Sequence, residues 1–236
     1  RGETEGKLAG GDEFLRFFQF GDTSEFLHGL SGLTGNALER SMEEEAREND
    51  GGAWWAEFSY VAHCAAAEDV DLPYTAKYKG AHGDGYTRDL SHGGMWLRDF
   101  CATPQARAAR LTPAEVCALR LYTGPMFSVL NSALRTGREV GAWATTIACC
   151  YSGVLKLSFQ SQPARVYRGV QETDLQLPAE FLRCSEGKFA GGVERAFMST
   201  TKSPAVAMDY SGGSATPGSI FVIDFGMNSR GASIQW

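Results

Sequence analysis

The residues best suited to chemistry fall in three short pieces of the C-terminal half: Val166-Tyr167-Arg168-Gly169, Phe197-Met198-Ser199-Thr200-Thr201 and Gly231-Ala232-Ser233-Ile234-Gln235-Trp236. An arginine at the end of a strand can fork two hydrogen bonds onto a pyrophosphate, and a glycine beside it lets the backbone approach a flat ring amide. Arg168 and Gly169 offer that pair. Side chains alternate along an extended run, so Ser199 and Thr201 point one way and Thr200 the other, which turns two hydroxyls toward one cleft. Taken singly these pieces are weak, because an arginine is more often a surface or ion-pairing residue and a Ser-Thr-Thr run is ordinary strand composition. Their order along the chain gives them weight.

Positioning them requires a sheet behind a set of helices. The segment from Asn36 to Asn49 sets Glu39, Glu43, Glu44, Glu45 and Glu48 against Arg40 and Arg47, with Leu38 and Met42 four apart, and predicts an exposed amphipathic helix with a solvated acidic face. From Trp54 to Arg110 no long period holds. Thr112-Pro113-Ala114-Glu115 has the order of a capping box with a first-turn proline, so a helix starts there, with Val116, Leu119 and Tyr122 on its apolar face. Gly124-Pro125 interrupts it, Phe127, Leu130 and Leu134 mark a second helix, and Trp143, Ile147, Cys150, Val154 and Leu157 a third. Beyond Gln162-Pro163 short apolar runs predict strands at Val166-Tyr167, Ala196-Phe197-Met198 and Ile220 to Phe225. Ser203-Pro204 opens a short helix through Met208 and Tyr210. Helices followed by strands point to an α+β fold.

Bulk properties remove several function classes. The net charge of -6, from 22 basic and 28 acidic residues, gives no electrostatic footprint for nucleic acid or an anionic membrane. No uninterrupted apolar run approaches the length of a membrane span; Phe14 to Phe20 and Ile220 to Phe225 are both far too short. The six cysteines include no C-x-x-C pair, and His28, His63, His82 and His92 are dispersed, so no metal is expected. Scattered thiols suit a reducing compartment, with Cys149-Cys150 as structural thiols on an apolar helix face; disulfides remain the minor alternative. Lys188, in Gly187-Lys188-Phe189-Ala190-Gly191-Gly192, lacks the spacing of a phosphate-binding loop, and no G-x-S-x-G elbow occurs. Because the first residue is Arg1, a removed N-terminal leader or larger region is an open expectation.

In this order, behind Leu119-Arg120-Leu121-Tyr122-Thr123-Gly124-Pro125, the three pieces resemble the arginine-serine-glutamate class of mono-ADP-ribosyltransferases, which transfer ADP-ribose from NAD to a protein side chain. The likeness covers the second half of the chain closely and the first half loosely. It implies an α+β fold with an N-terminal helical region followed by a mixed β core. Residues 1–110 would be a helical or irregular extension packed on the core, and residues 111–236 the transferase-like core without its last strands. NAD is then the substrate, bound between the helical part and the sheet, and the partner is an acceptor protein, modified on arginine by family habit. Arg168 would hold the dinucleotide phosphates and Gly169 would set backbone groups against the nicotinamide amide. Ser199 would be the catalytic serine that orients the reactive ribose and the glutamate, with Thr200 and Thr201 completing the hydroxyl row. Thr201 stands where the family's motif usually ends in serine and keeps the hydroxyl. Tyr210, or another residue of 203–218, would stack on the nicotinamide, and Tyr122 and Asn131 would lie on the adenosine side.

The reaction passes through an oxocarbenium-like state and needs a fixed carboxylate beside the ribose. In the family a glutamate-x-glutamate loop follows the Gly-Ala-x-Ile-x-Trp-like stretch. Here no Glu or Asp follows Asp224, which itself lies inside a strand pattern. Two readings stay open at this level: a transferase whose glutamate motif comes after Trp236, or a catalytically inactive relative kept as a structural or accessory subunit of a larger assembly.

Overall fold

The computed structural model of the chain describes residues 36–66, 92–162, 164–171, 181, 194–212, 218–226 and 231–234. The chain divides into two compact units, one of Thr23–Ser161 and Arg230–Trp236, the other of Arg1–Asp22 and Gln162–Ser229. The described residues of the first form helices and their connections, with 231–234 irregular, and those of the second hold a two-stranded sheet and a short helix. At this level the chain is α+β.

In the helical unit, numbered over the described residues, the elements are α1 (Asn36–Glu48), α2 (Trp55–His63), α3 (Leu97–Cys101), α4 (Pro104–Ala108), α5 (Pro113–Thr123), α6 (Phe127–Thr136) and α7 (Ala144–Ser158). Helix α5 is buried on all sides from Ala114 to Tyr122 and packs along α7. Its start follows from the residues at its head: the Thr112 hydroxyl accepts from the Glu115 amide at 3.3 Å, and the Glu115 carboxylate accepts from the Thr112 amide at 2.7 Å. Two donors at the helix head are thereby satisfied, with Pro113 supplying a helical φ where no donor is needed. Burying Glu115 is made tolerable by two partners from α7, the Ser152 hydroxyl at 2.6 Å and the Lys156 ammonium at 2.7 Å. Buried Arg120 donates to the Val61 carbonyl at 3.1 Å and stacks over the Phe100 ring. The loosely patterned stretch after Trp54 supplies α2, α3 and α4. Around Phe100, Ala106 and Val116, α3 and α4 build a small apolar cluster against α5.

Two expectations for this unit need correction. Helix α1 forms where the charge pattern puts it, but its acidic run is not a uniformly solvated face. Met42 and Ala46 are buried, and Glu45 turns in to the N-terminus of α7. There its carboxylate accepts from the Thr145 amide at 2.6 Å, the Thr146 amide at 3.0 Å and the Thr146 hydroxyl at 2.6 Å. A helix whose own cap position, Trp143, offers no side-chain oxygen is thus capped from another helix. Phe127, expected on the apolar face of α6, is 42% exposed, whereas Leu130 and Leu134 are buried as expected.

In the sheet unit, β1 (Ala164–Gln171) pairs antiparallel with β2 (Gly218–Phe225), from Ala164 opposite Phe225 to Gln171 opposite Gly218. Helix α8 (Pro204–Tyr210) packs on β1. Its head is Ser203, whose hydroxyl accepts from the Val206 amide, followed by Pro204. The strand expected over Ala196-Phe197-Met198 is absent: that segment is irregular, and pairing with β1 is a single antiparallel bridge, Tyr167 with Thr201. The cause is local. Continued pairing would set Ser199 opposite Gly169, but the Ser199 carbonyl is taken by the Arg168 guanidinium, and the Thr201 hydroxyl accepts from the Ser203 amide to start a turn. Among the described residues the sheet is therefore two-stranded and antiparallel.

Candidate functional site

Strand β1 brings together the residues singled out by type. Val166 is buried and Arg165 exposed, as alternation requires. At Tyr167 the strand gains its second neighbour: the Tyr167 amide donates to the Thr201 carbonyl at 2.7 Å, and the Thr201 amide donates back at 2.9 Å.

Arg168 is held from two sides. Its Nη1 donates to the Ser199 carbonyl at 3.1 Å, and its Nη2 lies 3.8 Å from the Glu194 carboxylate. The first contact is a hydrogen bond and fixes the guanidinium plane. The second is too long for one, and is an ion pair between side chains 22% and 26% exposed. The group therefore remains solvent-accessible, with donor capacity on Nη2 for an oxyanion. Glu194 is itself oriented by its own backbone, since its Oε1 accepts from the Ala196 amide at 3.1 Å.

Gly169 faces α8. A Cβ at this position would run into the Ala207 carbonyl oxygen, with the Ser211 amide nitrogen 2.7 Å away. Gly218, opposite Gln171 on β2, is likewise covered by the Ser211 backbone. Two glycines at one end of the ladder thus let the end of α8 lie directly on the sheet backbone. The glycine beside Arg168 thus serves helix packing. Tyr210, at the end of α8, is 72% exposed. Ser199 and Thr200 are exposed and Thr201 is half-buried.

The structure thus brings Arg168, Ser199 and Thr201 onto two neighbouring segments, with the backbone of Ser199, not its hydroxyl, touching the guanidinium. Tyr122 and Asn131 belong to the other unit, where both are buried and the Asn131 amide donates to the Tyr122 hydroxyl at 3.5 Å. Buried and paired, they are interior packing residues of α5 and α6. Gly231, Ala232, Ser233 and Ile234 form neither helix nor strand, and Gln235 and Trp236 lie outside the described residues. So do His28, His82, Cys184, Lys188 and the remainder of the 203–218 segment from 213 to 217.

Asp224 is fully engaged in structure. Opposite Arg165 across the ladder, it accepts from Nε at 2.7 Å and from Nη2 at 2.8 Å. That hydrogen bonding, aided by the attraction of the Arg165 charge and opposed by a small desolvation effect, holds its carboxyl below the usual range, while the same pair raises the guanidinium. A carboxylate locked in a bidentate fork is a poor general base. Among the described residues, no group of three or more His, Cys, Asp or Glu could hold a metal ion, and no helix is long and apolar enough to cross a membrane.

Glu194 is the residue sequence reasoning missed. It lies outside the hydroxyl run and carries no motif, and its proximity to Arg168 depends on how residues 195–200 return to the strand. The only available signal was compositional, an acidic residue a few positions ahead of a run expected to pair with the arginine strand.

Comparison with known proteins finds sequence similarity to two bacterial exoenzymes. Over 101 residues, 42% of the chain, the sequence is 36% identical to Secreted exoenzyme S of Pseudomonas aeruginosa. Over 100 residues, again 42% of the chain, it is 34% identical to Exoenzyme T of the same organism. The matched stretches span only 21% and 20% of those two proteins' own lengths. No family model matches the chain, and no solved structure does.

Proposed function

We propose that the chain carries the NAD-holding part of a mono-ADP-ribosyltransferase, which transfers ADP-ribose to a protein side chain, with arginine the acceptor by family habit. One observation carries the reading: an accessible arginine on β1 has its guanidinium plane set by the carbonyl of Ser199, on the segment that bridges to the same strand at Thr201. An oriented fork of this kind suits a diphosphate, whose oxygens can accept two parallel hydrogen bonds. Similarity to two exoenzymes supports an enzymatic role. In this reading Arg168 grips the phosphates. The hydroxyls of Ser199 and Thr201 face the ribose, and exposed Tyr210 is the ring available to stack on nicotinamide. The chemistry also needs a fixed carboxylate beside the ribose, a role that Asp224 cannot take while forked to Arg165.

Calorimetric titration with NAD tests the proposal. Arg168→Ala should weaken binding by about 1.5–3 kcal/mol, the loss of a charged hydrogen-bonded contact, or roughly ten- to a hundredfold in Kd. A wild-type protein that does not bind NAD, or an Arg168→Ala variant with wild-type affinity, refutes it.

A further inference from the structure

Arg168 does not wait as an isolated charge. We propose that Glu194 is a built-in counter-charge that sets how tightly Arg168 takes a diphosphate, an inference that rests on the reading of Arg168 as the phosphate clamp. Each side chain is held by a different backbone group: Arg168 Nη1 by the Ser199 carbonyl at 3.1 Å, and Glu194 Oε1 by the Ala196 amide at 3.1 Å. Their facing atoms, Arg168 Nη2 and Glu194 Oε2, stand 3.8 Å apart, closer than a Debye length yet beyond hydrogen-bond reach. The carboxylate is therefore held in part by a backbone amide of its own segment. A diphosphate taking Nη2 must sit beside that carboxylate or push it off its amide, and either course costs affinity. What the empty site gains is an arginine already oriented and partly neutralised. What the loaded site gains is a repulsion that speeds release.

The test is NAD titration of Glu194→Gln, in which the amide oxygen still accepts from the Ala196 amide while the charge is gone. NAD should bind about three- to tenfold more tightly at low salt, the size expected for one partly screened charge a few ångströms from the ligand. The gain should shrink as salt is raised and appear equally with inorganic pyrophosphate, but not with adenosine, which has no phosphate. Glu194→Ala should tighten binding in the same direction, which guards against an effect peculiar to the amide. In an Arg168→Ala background the gain should vanish. If wild type binds NAD and Arg168→Ala weakens it, yet both Glu194 variants leave affinity unchanged or lower, the counter-charge is refuted and the clamp stands. If Arg168→Ala has no effect, the clamp falls first.

Discussion

Gly169 separates a packing role from a ligand role in a single substitution. In Gly169→Ala the new methyl would collide with the Ala207 carbonyl oxygen, and it would lie 2.7 Å from the Ser211 amide nitrogen and 2.9 Å from the Ala207 carbonyl carbon. Ordinary carbon contacts need about 3.5 Å or more, so relief requires a shift on the order of 1 Å or more. The obstructing atoms are backbone and cannot rotate away, so the whole of α8 must lift, and with it Ala207, now 1% exposed. Overpacking a well-filled site costs about 1–3 kcal/mol, and a backbone obstruction belongs at the upper end, about 3 kcal/mol. Hydrogen exchange resolved by peptide is the assay, because the cost falls on one short helix. Amides of Ala207 and Ser211, which donate to the Ser203 and Ala207 carbonyls, should lose protection about a hundredfold. Gly141→Ala is the control, since a Cβ there meets nothing within 4 Å, and its stability should change by less than about 1 kcal/mol. If Gly169→Ala keeps full protection across α8 while NAD binding is lost, the helix does not rest on this glycine and its role is purely to admit ligand.

Two further outcomes follow from the helical unit. Glu45→Ala should destabilise it by about 2–4 kcal/mol in urea unfolding, because two amides and a hydroxyl at the head of α7 lose their acceptor. Burial raises the Glu45 carboxyl above its ordinary value while the Thr146 and Thr145 hydrogen bonds pull it down. The folded state thus holds that proton more tightly, and between the unfolded and folded values its contribution to stability declines as pH rises, a slope that Glu45→Gln should remove. Among the five described cysteines, exposed Cys64 should react with a maleimide at neutral pH. Burial pushes Cys117 and Cys149 up to about 12 and raises Cys150 as well, so these three should label only on unfolding; labelling of Cys150 in the native protein would contradict the packing of α7.

What could be read from sequence was local. The capping box at Thr112 and Glu115 and the Ser203-Pro204 helix start depend on residues within a turn of one another, and both stand in the structure where the sequence puts them. The apolar period of α7 likewise buries Trp143, Ile147, Cys150 and Leu157. What escaped was set by partners distant in the chain. Glu45 looks like any member of an acidic helix face until the head of α7, about a hundred positions on, claims its carboxylate. The strand expected at Ala196-Phe197-Met198 has the right composition, but a side chain, Arg168, occupies a carbonyl that pairing would have used. At the site, sequence could nominate Arg168 and the hydroxyl run; neither the partnership with Glu194 nor the helix lying on Gly169 leaves a trace in spacing.

The fork between Arg165 and Asp224 has a consequence beyond its two residues. Both are exposed, and ion pairs of that kind contribute little to stability, but the fork closes only when Ala164 stands opposite Phe225 and every later pair follows in step. A strand pair that slid by one position would invert its two faces, burying Arg168 beneath α8 and turning Gly169 outward. A fork at one end of the ladder and two side-chain-free positions at the other therefore act as a pair of keys, each rejecting the misaligned alternatives that the other would tolerate.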